Sequence, residues 1–171
     1  MRADPECRIF NPMGVELPPK EDRPGVPIAP PLLFALPILA SIPLEWLFPT
    51  SFAQGSVRWI SGTLFLTFGL ALTISGFITQ RRAGTDPIPF NPTTRIVVHG
   101  LYRFTRNPMY IGFALVTLGL ATLADSEWML LVIPIGLVLT DRLVVAREER
   151  YLERKFGDDY LAYKARVRRW I

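Results

Sequence analysis

Thiol and imidazole chemistry are almost absent from this chain. Cys7 is the lone cysteine and His99 the lone histidine in 171 residues. A single cysteine excludes a disulfide framework and a cysteine-based metal cluster. A single histidine excludes the usual zinc ligand sets, so no metal is expected. No Gly-x-Gly-x-x-Gly fingerprint of a soluble dinucleotide fold occurs. A signal-peptide pattern is missing as well, because the first apolar run begins near Ile28, after Asp4, Glu6, Glu16, Glu21 and Asp22. Charge is missing from Ile60 to Thr79, twenty residues that match the length a bilayer core requires.

Half of the residues are hydrophobic, and they gather in long runs rather than in short periodic segments. That pattern excludes an ordinary soluble domain and predicts one all-α, integral membrane helical bundle with about four transmembrane helices and a cytoplasmic C-terminal helix. Residues 1–29 form a proline-rich lead-in, in which Pro5, Pro12, Pro18, Pro19, Pro24 and Pro27 exclude a long helix. Residues 30–171 form the membrane domain, with spans expected at about 30–48, 60–79, 108–124 and 128–146 and a C-terminal helix over about 147–166. Pro37 and Pro43 fall inside the first span, where neighbouring helices must satisfy the carbonyls they release. Gly62, Gly69 and Gly76 recur at seven-residue intervals and form a stripe that admits a second helix, either of this chain or of a dimer. Gly112 and Gly119 share a face of the third span.

Eighteen of the nineteen Lys and Arg residues fall in the N-terminal segment, in the loop after the second span or from Arg142 onward, and Arg58 is the exception. Positive charge stays on the cytoplasmic side, so both termini are expected there. The net charge of +4 is assigned to anionic lipid contact rather than to nucleic acid.

Two polar segments bracket the last hydrophobic hairpin. The first is His99-Gly-Leu-Tyr-Arg-Phe-Thr-Arg-Asn-Pro-Met-Tyr-Ile-Gly112, where Gly100 and Pro108 interrupt helix around Tyr102, Arg103 and Arg106. Irregular backbone at membrane depth is tolerated where it lines a cavity or is buried in protein. The N-terminus of the third span suits a ligand carboxylate. The second segment leaves the fourth span. Val138, Arg142, Val145, Glu149, Leu152 and Phe156 advance by threes and fours, which places Arg142 and Glu149 on one otherwise apolar stripe. Charged residues at the membrane edge mark candidate functional sites.

Together, His-Gly-x-Tyr-x-x-x-Arg-Asn-Pro-x-Tyr-x-Gly and Arg-Glu-Glu-x-x-Leu-x-x-x-Phe-Gly-x-x-Tyr-x-x-Tyr resemble the isoprenylcysteine carboxyl methyltransferase family and its bacterial relatives. The resemblance covers about residues 95–170. It implies an integral membrane enzyme, of the bacterial inner-membrane type, that uses S-adenosylmethionine to methylate a lipophilic, prenylated or lipid acceptor. Carboxyl O-methylation is the leading reaction. Phospholipid N-methylation, a sterol-reductase-type NADPH reaction and a non-enzymatic scaffold are the alternatives. The cofactor residues it implies are His99, Gly100, Leu101, Tyr102, Arg106, Asn107, Pro108, Tyr110, Gly112 and Glu149. Arg142, Arg147 and Glu148 are the expected catalytic residues, the arginines to hold an acceptor carboxylate and Glu148 to take a proton from an amine or thiol. Asn107 departs from the Arg-His-Pro of eukaryotic members and carries no titratable proton.

Overall fold

The computed structural model describes residues 22–171. The lead-in over 1–29 therefore lies mostly outside the described residues. Six α-helices are present among them: α1 (Leu32–Leu47), α2 (Gly55–Arg82), α3 (Pro108–Ala124), α4 (Glu127–Thr140), α5 (Ala146–Phe156) and α6 (Asp158–Arg166). A 3₁₀ turn occupies Gly100–Arg103, and a π turn at Asp141–Val145 joins α4 to α5. No strand forms among the described residues; one isolated parallel bridge pairs Thr105 with Arg168.

Local sequence explains the helix ends. Pro108 opens α3, where its missing N–H costs nothing. Ser126 caps α4 by accepting from the Met129 N–H at 3.4 Å. Arg81 and Arg82 sit in the last turn of α2, where cations complement the helix dipole. Asp125 ends α3 in the left-handed region, and its carboxylate accepts from Ser51 Oγ (2.7 Å) and from the Phe52 and Ala53 N–H groups (2.8 and 2.7 Å). Glu45 makes the matching clasp from α1, accepting from the Thr50 N–H at 2.6 Å and from the Ser126 hydroxyl. These contacts tie the α1–α2 connection to the α3–α4 turn.

α3 is the central helix, with α2 on one side and α4 and α1 on the other. The glycine stripe of α2 is used internally. Gly62 faces Leu123, Gly69 faces Val116 and Gly112, and Gly76 faces Met109. Gly112 and Gly119 return the contact from α3. Small residues let two backbones approach in the absence of a hydrophobic drive between helices in lipid. On the other side, Gly136 of α4 receives the Phe34 ring of α1, within a core that includes Val26, Tyr110, Val144 and Val145.

α2 (28 residues) and the continuous helix Glu127–Phe156 (30 residues) are long and apolar enough to cross a bilayer. α1 and α3 are shorter apolar helices. The expected single helix over 147–166 is instead two, broken at Gly157. There φ is 52° and ψ is −127°, a conformation open essentially to glycine alone. The break folds α6 back toward the 3₁₀ turn, where Tyr163 donates to the Tyr102 carbonyl at 2.7 Å.

Candidate functional site

An open cleft lies where the 85–97 connector, the 99–110 segment, α5 and α6 converge. Its polar interior is built from Arg106, Glu148, Tyr102, Tyr110 and Gln80, and Pro24, Ile88 and Leu152 supply apolar wall.

Glu149 is 5% exposed and heavily paired. Its Oε1 accepts from Arg169 Nε and forms an ion pair with Arg106 Nη2, each at 3.1 Å. Its Oε2 accepts from Arg169 Nη2 at 2.6 Å, with Lys164 Nζ at 3.7 Å. A buried carboxylate requires such pairing to be tolerated. The Arg106 side chain is 8% exposed, and its Nε and Nη1 have no hydrogen-bond partner among the described residues. Arg106 is therefore a buried cation with unmet donor capacity, on a residue that lines the cavity. Among the described residues Glu148 has no cation partner; both of its oxygens accept from the Tyr110 hydroxyl at 3.1 Å.

The aromatic lining is held neutral. Burial pushes the Tyr163 phenol up to about 12, and raises Tyr102 and Tyr160 well above the usual phenol range, with the Glu149 charge adding to the effect on Tyr160. Tyr102 is fixed by Gln80, whose amide donates to its hydroxyl at 2.6 Å. These rings supply shape and π faces; they cannot serve as bases near neutral pH.

Of the residues expected from the sequence, the structure brings Tyr102, Arg106, Asn107, Pro108, Tyr110, Glu148 and Glu149 to the cavity. Asn107 Nδ2 donates to the Arg169 carbonyl at 2.9 Å, which ties it to the C-terminal tail. His99, Gly100, Leu101 and Gly112 do not line the cavity. Gly100 turns the chain with φ 62° near Thr79, and Gly112 is consumed by the α2 contact. Arg142 and Arg147 also lie outside the cavity lining. Arg142 is exposed and away from the cavity, and Arg147 reaches the Gly25 carbonyl at 3.1 Å on the surface. The cause is the π turn. Its extra residue rotates everything that follows and splits the expected stripe. Val138 before it is 59% exposed, whereas Val145, its last residue, is 1% exposed.

Arg95, Lys164, Arg169 and Gln80 were not expected at the site. Arg169 sits in a run of cations, Val-Arg-Arg-Trp, that reads as membrane-facing charge. The available signal was the buried acidic pair opposite, which needs cations from elsewhere. Hydrogen bonding to Glu149 raises Arg169 above its usual value, so it remains charged.

A family model described as phospholipid methyltransferase matches residues 57–159. An uncharacterized protein of Haemophilus influenzae is 38% identical over 63 residues, 37% of this chain and all of that protein. Protein-S-isoprenylcysteine O-methyltransferases B and A of Arabidopsis thaliana are each 27% identical over 140 residues, covering 78% of this chain and 71% of theirs. No solved structure matches the chain.

Proposed function

This chain belongs to the phospholipid methyltransferase family, and from that premise we propose that it methylates a lipophilic acceptor with S-adenosylmethionine. The observation that carries the reading is Arg106: a buried cation with two unpartnered nitrogens beside the cation-free carboxylate Glu148. S-adenosylmethionine presents a carboxylate, an ammonium and a sulfonium on one small molecule, and this pair of sites suits those charges. The cofactor supplies an electrophilic methyl group. Arg106 would hold its carboxylate, Glu148 would accept from its ammonium or ribose, and Tyr102 would offer a ring face to adenine or the sulfonium. Positioning and exclusion of water do most of the remaining work.

Four crossings are proposed, with α1 and α3 completing the bundle and the cationic segments on the cytosolic face. The soluble cofactor then enters from the cytosol and the acceptor from the bilayer.

A carboxylate acceptor, as in the names of the Arabidopsis relatives, needs a cation to hold it. Arg95 is the lining cation left after Arg106 is engaged. An amine or thiol acceptor must lose a proton, and Glu148 is placed to take it. The cation-free setting of Glu148 favours this second class.

Calorimetric titration of the purified chain in detergent tests the reading. S-adenosylhomocysteine binds saturably to wild type. Arg106→Ala loses about 1.5–3 kcal/mol of that binding, the scale of a hydrogen bond to a charged group. Folded wild type that binds NADPH and ignores S-adenosylhomocysteine would refute it.

A further inference from the structure

We infer that Arg169 is a positioning residue that keeps Arg106 available to a ligand carboxylate; this rests on the function proposed above. Arg–carboxylate pairs favour the two-pronged arrangement. Here Arg169 takes that arrangement with Glu149, through Nε at 3.1 Å and Nη2 at 2.6 Å. Arg106 is left with one contact to Glu149, through Nη2, and it lies beside the Tyr160 phenol. Its Nε and Nη1 are buried and without hydrogen-bond partners among the described residues, on a residue that lines the cavity. Removal of Arg169 leaves Glu149 to draw Arg106 into a two-pronged pair, which consumes a donor the ligand needs.

Arg169 is itself fixed from three directions. Its Nη1 donates to Asp141, at the start of the π turn, at 3.1 Å, and Trp170 Nε1 donates to the same oxygen at 3.2 Å. Its carbonyl accepts from Asn107 Nδ2 (2.9 Å) and from Thr105 Oγ1 (3.2 Å). The neighbouring Arg168 carbonyl accepts the Arg106 N–H at 3.0 Å. The tail that carries Arg169 thus also sets the backbone of Arg106. One side chain links Asp141 and Glu149, on either side of the change of winding, to the segment that binds.

The test compares two probes on the full chain in detergent: S-adenosylhomocysteine, and 5′-methylthioadenosine, which lacks the carboxylate. Arg169→Gln weakens the first roughly tenfold, the scale of coupling within one ion-pair network, and leaves the second within about twofold. Adding Glu149→Gln to Arg169→Gln restores part of the loss, because the competing carboxylate charge is gone. Equal weakening of both probes, or a double variant as weak as Arg169→Gln, overturns the inference. If Arg169→Gln does not fold, Arg169→Lys takes its place. Lysine keeps the charge but cannot make the fork, so it weakens only the carboxylate-bearing probe; equal weakening of both would again overturn the inference. Wild type that binds neither probe overturns the proposed function instead.

Discussion

Gly69→Ala is the sharpest test of how the bundle is held together. A Cβ at this position would meet the Val116 nitrogen at 2.6 Å, the Gly112 oxygen at 2.8 Å and Leu115 Cβ at 2.9 Å. Ordinary van der Waals contact begins at 3.4 Å, so α2 must retreat from α3 by about 0.8 Å. The obstructing atoms are mostly backbone and cannot rotate away. Overpacking of this kind costs about 1–3 kcal/mol. Among the described residues α2 packs chiefly on α3 and on the 3₁₀ turn. Gly76→Ala is the internal control. Its nearest neighbour is Met109 Cγ at 2.7 Å, and the next atoms lie at 3.6 and 3.7 Å. A flexible thioether chain moves cheaply, so the expected cost is under about 0.5 kcal/mol. Both variants are measured by unfolding in mixed micelles with increasing anionic detergent. A Gly69→Ala chain as stable as wild type, or a Gly76→Ala chain equally damaged, would refute the packing argument.

Three further outcomes follow from the site and the turns. Glu148→Gln removes the charge hydrogen-bonded to Tyr110 and lowers turnover by about 10²–10⁴-fold if Glu148 takes a proton from the acceptor, whereas a rate within a few-fold of wild type assigns it to cofactor contact alone. Gly157→Ala forces a side chain into a backbone region that costs about 1–3 kcal/mol, so α6 shifts; a lowered melting temperature together with weaker S-adenosylhomocysteine binding is expected. Asp125 is held below its usual value chiefly by the N–H of Ala53, then by Ser51 and the N–H of Phe52. A depressed carboxyl contributes stability above its unfolded value, about 3.9, that is lost as pH falls through its folded value. Asp125→Asn should therefore melt earlier than wild type at neutral pH, and the gap should close in acid; a gap independent of pH would sink this assignment.

The apolar runs, the glycine spacing and the proline at the start of α3 were legible because each acts locally. Periodicity held within α5, where Glu149 and Leu152 both line the cavity. It failed for Arg142, because a three-and-four count assumes uninterrupted α winding, and nothing in Asp-Arg-Leu-Val-Val marks a π turn. Gly157 carried a readable signal, as glycine commonly ends helices, but the charged residues around it suggested one continuous amphipathic segment. Arg169 was invisible for a different reason. Its value comes from partners 20 and 28 residues away on another helix, and the cations beside it look alike in sequence.

The π turn has a consequence for how this chain tolerates length changes. The stretch embedded among apolar neighbours and the stretch bearing the two carboxylates have separate angular settings, and five residues reconcile them. Deleting one of those five would close the turn to ordinary α winding and swing Glu148 and Glu149 by about 100°, one residue's step around the axis. The shortened helix would keep its composition and its fit to the bilayer while its acidic pair pointed elsewhere. In this region a single-codon deletion acts as a change of aim rather than of reach.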